Sequence, residues 1–525
     1  GTTRSPTVTH GVRMTRTLRP RPTGRLGRLG RPPGHLSVRV AAVVVALALS
    51  ACGSQVDPDT MARLNGQAGA AVGADGQPVT TDALGGTATL DPGTSSGDTG
   101  SSGDDSGSTG GTGSSGGDGG SGGDSGSGPT GSGKTSADGG VKAGSCDGFK
   151  NSTGITDSEI TVANIADISG PVPGLFQSAQ DATKAFVAYY NASNPDGICG
   201  RSLKLSALDT RSDSAGDQQA YTRACDEAFA VIGAVSSQDQ GGAGTAESCG
   251  IPDLRAFTVT PQRSACVTCF SAYALKGNLI PKANLDYWKK KEPQATQNIG
   301  IYYVNVPAAE VNAKSIAAAF ERNGSKVTRV QGIDTAEFNY APYAQQMKTE
   351  GIGFVMYYGP FQFTIRLQEA MEQQGVDAVF LTDPTVYDRN YVEQGGSTVD
   401  GTYVYSVIQR FEDTSIPEMV LYRQWLERVA PGSIPNYYGL FAWSASRLFV
   451  QKATELGGDL TRPALVQALK GVKDWTSNGI HAPMAIGTKT TPGCIKMFQL
   501  KSKSWSQVSP GDFMCGPLVD SGVGG

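Results

Sequence analysis

Eight residues from Gly128 to Thr135, GPTGSGKT, match the phosphate-loop pattern G-x-x-x-x-G-K-[ST]. This pattern binds nucleotide phosphates when a buried strand delivers a glycine-rich turn into a helix N-terminus, where backbone N–H groups face the phosphates. Neither element is predicted here, because residues 93–140 hold 20 glycines in 48 positions and no apolar run. We interpret the match as part of a flexible linker, and we expect neither a nucleotide nor another cofactor.

The N-terminal 51 residues carry nine arginines, no lysine and no acidic residue, and they end in the apolar run VRVAAVVVALALSA. Such a run is short for a membrane span and typical of an export signal. The next residues, Leu49-Ser50-Ala51-Cys52, resemble the lipobox of bacterial lipoproteins, in which the cysteine carries the lipid. We predict a signal peptide over residues 1–51 and a disordered linker over 52–145, anchored to the cell membrane through lipid on Cys52.

Charge and cysteine content fit an exported protein. The formal net charge is −4 for the whole chain and −13 without the nine leader arginines, with no basic stripe, so nucleic acid is excluded as a partner. After Cys52 the chain has eight cysteines, an even set that most simply forms disulfides outside the cytosol, with 105 pairings open. The close pair Cys266 and Cys269 also admits a redox dithiol or half of a zinc site, although no second C-x-x-C occurs.

From about Ile155 onward, strands alternate with amphipathic helices. The strand SEITVANIA is followed by a helix whose apolar positions Ala182, Ala185, Phe186 and Tyr189 recur at spacings of three and four. A second alternating series begins near residue 297 with NIGIYYV. Alternation of this kind predicts an α/β fold with two lobes, each built on a doubly wound parallel sheet with right-handed crossovers.

Six segments of the two series carry a family resemblance: EITVANIADISGP, DGICGRSLKLSALDTRSDSAGDQQA, VIGAVSSQ, SCGIPDL, IGIYYV and FLTDPTVYDRNYVEQGG. In their order and spacing the chain resembles type I periplasmic solute-binding proteins, in the branched-chain amino acid and amide (leucine-binding-protein-like) branch. The resemblance implies a clamshell, with residues 146–275 and 407–471 in the first lobe and 276–406 and 472–520 in the second. It also implies a disulfide between Cys225 and Cys249.

Ligands of open parallel sheets bind beyond the carboxyl ends of the strands, where helix N-termini favour an anion. Ser169 and Gly170 follow the first strand and offer a hydroxyl and a close backbone approach. The resemblance adds residues from three further loops as ligand contacts: Ser236, Ser237 and Gln238, which match the family's Ser-Ser loop; Thr258 and Thr260, which match a carbonyl and hydroxyl position; and Asp383 and Tyr387, which match positions near the ligand's ammonium group and side chain.

Each candidate also has a structural interpretation. Ser236 and Ser237 would cap the next helix, the two threonines would be turn residues, and Asp383 would fix the turn at Pro384. Arg255 would supply a cation to a ligand carboxylate or would be an exposed surface charge. Residues 304–308 lack the Asp-Asp-x-x-Tyr of the family, which favours a differently shaped or less polar solute than leucine.

The predicted function is that of an extracytoplasmic, lipid-anchored binding protein. It captures an amino acid, amide or related small carboxylate between its lobes and delivers it to a membrane ABC permease. A ligand-sensing clamshell that reports to a membrane receptor is the alternative. A secreted hydrolase is more remote, because no nucleophile motif lies near His481, the only histidine beyond the leader. We therefore expect no enzyme and no metal site.

Overall fold

The structure, a computed structural model, describes residues 141–258, 260–273 and 275–523. The predicted signal peptide, Cys52, the phosphate-loop match and nearly all of the predicted linker lie outside these residues. Within the described ranges, no helix combines the length and apolar character needed to cross a membrane.

The first sheet has five parallel strands in the order β2-β1-β3-β4-β5. Every residue of β4 and β5 is buried, because helices cover both faces of the sheet. The strands are β1 Glu159–Ala166, β2 Ser202–Asp209, β3 Ala230–Ile232, β4 Asp253–Phe257 and β5 Cys269–Tyr273. The helices between them are α1 Gln177–Ser193, α2 Ser214–Glu227, α3 Ala243–Cys249 and α4 Pro261–Ala265.

The second sheet runs in the order β13-β12-β11-β10-β9-β7-β8, with β14 paired to β12. Strands β7 to β11 are parallel, and β12 and β13 add an antiparallel edge. The strands are β7 Ile299–Val304, β8 Val327–Ile333, β9 Phe354–Tyr358, β10 Val379–Thr382, β11 Tyr403–Ser406, β12 Cys494–Lys501, β13 Ser504–Gln507 and β14 Met514–Cys515. The helices are α5 Lys282–Lys291, α6 Pro307–Arg322, α7 Ala341–Glu350, α8 Phe361–Gln374 and α9 Arg389–Gly395. A separate two-stranded ribbon pairs β6 Leu279–Pro281 with β15 Leu518–Asp520.

Three later helices return to the first sheet: α10 Pro417–Val429, α11 Tyr437–Leu456 and α12 Arg462–Lys470. Helix α11 packs on α1 and β4, and α10 packs on α1. Trp443 of α11 is fully buried, with its ring centroid 4.9 Å from that of Phe186, and its indole N–H donates to Glu418 at 2.5 Å. Two α/β lobes with mainly parallel sheets, as predicted, are confirmed.

The chain passes between the two sheets three times, after β5, after β11 and before β12. Lys276 N–H donates to Thr491 Oγ1 at 2.8 Å, and that hydroxyl donates to the Lys276 carbonyl at 3.0 Å. Between the other two connections, Ala482 N–H donates to the Val407 carbonyl at 2.8 Å and Gln409 N–H to the Ile480 carbonyl at 2.9 Å. The three connections therefore lie side by side, as a hinge requires.

All eight described cysteines are joined in disulfides. The pairs are Cys146–Cys199, Cys225–Cys249, Cys266–Cys269 and Cys494–Cys515. The second is the pair that the family resemblance implied, and it ties the ends of α2 and α3 on either side of β3. The C-x-x-C pair is a buried disulfide, and no group of potential metal ligands occurs in the described part of the chain.

His481 lies where the second and third connections meet, and only 1% of its surface is exposed. Its Nδ1 donates to the Ala482 carbonyl at 2.8 Å, its Nε2 accepts from the Ser444 hydroxyl at 2.8 Å, and its ring stacks on Phe441 with centroids 5.1 Å apart. Burial lowers the pKa of His481 from 6.5 to about 4. The hinge is therefore built around a neutral imidazole.

Acidification is expected to destabilise the protein through His481. Between pH 6.5 and about 4 the unfolded chain binds a proton on this residue and the folded chain does not, so the free energy of unfolding falls as the pH is lowered, by up to about 3 kcal/mol. Urea unfolding of the wild type and of His481→Asn at pH 7 and pH 4.5 measures this contribution. Between the two pH values, the free energy of unfolding should fall more in the wild type than in the variant. Equal pH dependence in both proteins would contradict a neutral buried histidine.

Candidate functional site

Asp383 and aromatic side chains of both lobes lie near the carboxyl ends of the central strands, within electrostatic range of one another. On the first lobe, the ring centroid of Phe257 lies 5.4 Å from that of Tyr273 and 5.2 Å from those of Tyr437 and Tyr438. Tyr273 ends β5, and the other two tyrosines begin α11. These four rings form one continuous aromatic wall.

On the second lobe, the facing tyrosines are Tyr358 at the end of β9 and Tyr405 in β11. Their hydroxyl oxygens are 3.2 Å apart. Burial raises the pKa of both tyrosines and of Tyr273, the last to about 12, and the nearby carboxylate of Asp383 raises all three further. One carboxylate thus acts on tyrosines of both lobes, so the two aromatic groups and Asp383 form a single site.

Asp383 directly follows β10 and begins the short turn Pro384–Val386. Its carboxylate accepts a hydrogen bond from Thr385 N–H at 2.8 Å. Burial raises the pKa of Asp383 from 3.8 to about 6, although hydrogen bonds from Thr385 oppose the shift. No charged group among the described residues contributes to this shift, so at neutral pH the site holds an ionised carboxylate without a cationic partner in that part of the chain.

Two further carboxylates occupy the strand-end loops of the first lobe. Asp167, after β1, accepts from Ser237 N–H at 2.8 Å and from its hydroxyl at 2.6 Å, and Thr210 donates to its other oxygen. Asp209, at the end of β2, accepts from Ser169 N–H at 3.2 Å and from its hydroxyl at 2.5 Å. Burial opposes ionisation of Asp209, but these bonds and those from Ile168 and Arg211 N–H hold its pKa below the usual value.

The other predicted ligand residues lie in these same loops. Ser236 is buried and its hydroxyl accepts from Gln238 N–H at 3.2 Å. Helix α3 starts only at Ala243, so Ser236 and Ser237 do not cap it. Gly170 has φ 118°, and a Cβ there would lie 2.4 Å from the Arg211 carbonyl oxygen, so only glycine fits this close approach.

The two threonines differ in their roles. Thr260 is the N-cap of α4, accepting from Arg263 N–H at 3.4 Å and donating to Asp239. Thr258 is 5% exposed, and within the described part of the chain its hydroxyl has no hydrogen-bond partner, so it is the threonine open to a ligand.

Tyr387 is a buried side chain with partners of its own. It is 2% exposed, its hydroxyl donates to Glu412 at 2.6 Å, and its ring packs 5.0 Å from Phe411 and 5.4 Å from Trp505. The side chain is part of the core of the second lobe, and the structure does not bring it together with the other predicted residues.

The expectations for Arg255 are wrong, because its side chain is fully buried within the first lobe. Arg263 donates to Asp253 at 2.9 Å and to Asp217 at 3.1 Å, and Arg255 lies 3.7 Å from Asp253. Tyr221 also donates to Asp253, at 2.8 Å. The two arginines lie among three buried carboxylates, Asp217, Asp239 and Asp253, which leaves neither guanidinium for a ligand.

Sequence reasoning missed the tyrosines of the site, namely Tyr273, Tyr405, Tyr437 and Tyr438. The available signal was position, because Tyr273 is the last residue of the strand CFSAY and Tyr405 lies one residue before the end of YVYS. Tyr437 and Tyr438 begin α11, which follows another helix and not a strand. Their sequence position therefore does not predict a place at a strand end, and only the fold brings them to the site.

A family model described as periplasmic binding protein matches residues 159–504. Among solved structures, a fatty acid ABC transporter substrate-binding protein from Thermomonospora curvata has 15% identity and a TM-score of 0.61, with 70% of this chain and 96% of that chain covered. A branched-chain amino acid transporter substrate-binding protein from Streptococcus pneumoniae, in complex with isoleucine, has 15% identity and a TM-score of 0.57, with 67% and 100% covered. A leucine-binding protein from Thermotoga maritima has 15% identity and a TM-score of 0.56, with 67% and 98% covered. Among curated proteins, none has a sequence that matches this chain.

Two sheet-based lobes joined by three connections, with a polar and aromatic site at their strand ends, define a clamshell binding protein. The chain belongs to the periplasmic binding protein family, with the type I fold of the leucine-binding branch. Solute binding is the role that this family and fold support.

Proposed function

We propose that this protein captures a small molecule between its two lobes and hands it to the permease of an ABC importer. The observation that carries the proposal is the position of Asp383, an ionised carboxylate that lies among tyrosines of both lobes and has no cationic partner among the described residues. A polar group enclosed by apolar rings is the usual anatomy of a small-molecule site.

Closure of the lobes would use the three hydrogen-bonded connections as the hinge. A ligand drives such a closure only through contacts that exist in the closed state. Asp383 and Tyr405 on one lobe and Thr258 and Tyr273 on the other are the groups that a bound molecule would contact together. Ser169, Gly170, Ser236, Ser237, Gln238 and Thr260 would shape the floor of the first lobe.

The protein is proposed to work outside the cytoplasm, held to the membrane by lipid on Cys52. The linker over residues 52–145 is rich in glycine, serine and aspartate and would behave as a flexible chain. Its root-mean-square reach is on the order of 50 Å at ~5–6 Å × √n. That distance would allow the lobes to reach a permease in the same membrane.

A thermal-shift screen of the chain from Gly53 onward tests the binding role. Amino acids, amides, small carboxylates and amines are the classes to include, and a ligand at 100 times its dissociation constant should stabilise the protein by about 2.7 kcal/mol. Recovery of the ligand unchanged after incubation distinguishes binding from hydrolysis. A screen in which no class raises the unfolding temperature, or in which one compound is turned over, would count against a transport binding protein.

A further inference from the structure

We infer that the solute is an organic cation without a carboxylate group, held by Asp383 inside the tyrosine site. This assignment rests on the function proposed above and narrows it. Amino acids and small carboxylates, the ligand classes expected from the family resemblance, fit the site less well than an amine or quaternary ammonium compound.

The first reason is that two of the residues expected to hold a ligand carboxylate, Ser169 and Ser237, already donate to carboxylates of the protein. Ser237 and Ser169 each give both the backbone N–H and the hydroxyl to a carboxylate of the protein, Asp167 and Asp209 respectively. A ligand carboxylate would have to displace these bonds, and it would also approach two fixed negative charges. The strand-end loops of the first lobe thus oppose an anion instead of attracting one.

The second reason is that the nearest arginines do not offset this charge. Arg255 lies in β4 just before Thr258 and Arg263 lies in α4 just after it, but both are fully buried, Arg263 bonded to Asp253 and Asp217 and Arg255 3.7 Å from Asp253. The guanidinium of Arg211, beside Gly170, is exposed and donates to Gln219 at 3.1 Å, so solvent screens its charge.

The third reason is the composition of the site itself. Aromatic faces attract cations through the negative charge on the face of the ring, and cages of aromatic rings recognise ammonium groups in this way. Here Asp383 lies within electrostatic range of Tyr273, Tyr437 and Tyr438 of the first lobe and of Tyr358 and Tyr405 of the second, whose hydroxyl oxygens are 3.2 Å apart, and it has no ion-pair partner among the described residues. A bound cation would satisfy Asp383 and remove the unfavourable burial of its charge. A neutral or anionic ligand would leave that charge buried and unpaired.

Two matched pairs of compounds test the assignment by isothermal titration of the wild-type chain at pH 7.5. Choline and its uncharged carbon analogue, 3,3-dimethylbutan-1-ol, differ in the charge alone. Isoamylamine and L-leucine share the amine and the branched chain, and only leucine has the carboxylate. We expect at least one of the two cations to bind, choline at least 10-fold more tightly than the alcohol, and isoamylamine at least 10-fold more tightly than leucine.

The outcomes separate this assignment from the function on which it rests. Leucine binding as tightly as isoamylamine, or no binding of either cation at 1 mM, would overturn the cation assignment. Tight leucine binding would leave the solute-binding function intact. Absence of binding for every compound, the wider thermal-shift panel included, would instead overturn both.

Discussion

Replacing Asp383 by asparagine is expected to abolish cation binding and, at the same time, to stabilise the unliganded protein. The change removes the charge that a ligand would pair with, and loss of one partner of a buried ion pair costs about 2–5 kcal/mol, at least 30-fold in affinity. Asparagine retains an oxygen for Thr385 N–H, so the turn after β10 is preserved. Isothermal titration with choline and isoamylamine measures the loss.

The unliganded protein is expected to become more stable because the carboxylate of Asp383 is unfavourably buried. The pKa of Asp383 rises from 3.8 in the unfolded chain to about 6 in the folded one, so stability is lost as the pH rises through this window and the full cost remains at pH 7. Allowing for the partial exposure of the residue, we expect Asp383→Asn to raise the free energy of unfolding by about 1–3 kcal/mol. Urea unfolding without ligand measures it.

Asp413→Asn is the matched control, because Asp413 lies in the loop that follows β11 and, unlike that of Asp383, its pKa is lowered, chiefly by hydrogen bonds from Ser415. This variant should change neither the cation affinity nor the pH dependence of that affinity. In the wild type, cation affinity should fall below pH 6 as Asp383 is protonated, and this dependence should vanish in Asp383→Asn. Undiminished cation binding by Asp383→Asn would remove Asp383 from the site.

Replacing Arg263 by alanine is expected to destabilise the protein by about 3–5 kcal/mol, the usual cost of breaking a buried ion pair on one side. Arg263 is fully buried and bonds Asp217 at 3.1 Å and Asp253 at 2.9 Å. Burial already raises the pKa of Asp217 against the opposing charges of Arg255 and Arg263. Without Arg263, these carboxylates would remain buried with one cation between them.

Chemical unfolding of Arg263→Ala beside Arg223→Ala provides the comparison. Arg223 also pairs with a carboxylate, that of Glu227 at 2.8 Å, but its side chain is 59% exposed. Exposed pairs contribute roughly 0–1 kcal/mol, so this control should stay close to the wild type. Similar decreases in the free energy of unfolding of the two variants would mean that the buried ion pairs of Arg263 do not stabilise the protein more than an exposed pair does.

The sequence predicts the architecture well because strand and helix periodicity are local properties. The alternation of buried strands with amphipathic helices indicated both sheets, and the positions of Asp167, Ser237 and Asp383 at strand ends follow from that alternation. Loop residues could therefore be assigned to one edge of each sheet before their contacts were known.

The partners of those residues depend on tertiary contacts. Ser237 was expected to hold a ligand, and its hydroxyl instead meets Asp167, 70 positions earlier in the chain. Arg255 carried one hint of its burial, because it sits inside the apolar strand DLRAF two residues after Asp253. Charges on one face of a buried strand require buried counter-charges, but only the fold identifies Arg263 and Asp217 as members of that network.

The threefold passage of the chain between the lobes has a consequence for biogenesis. Residues 494–507 form β12 and β13 of the second sheet. In the sequence they come after α10 to α12, which pack on the first lobe. The edge of the second sheet cannot be completed until almost the entire polypeptide has been synthesised and translocated. Neither half corresponds to a continuous stretch of the gene, so a truncated product would expose an unpaired β11 and be a substrate for proteases.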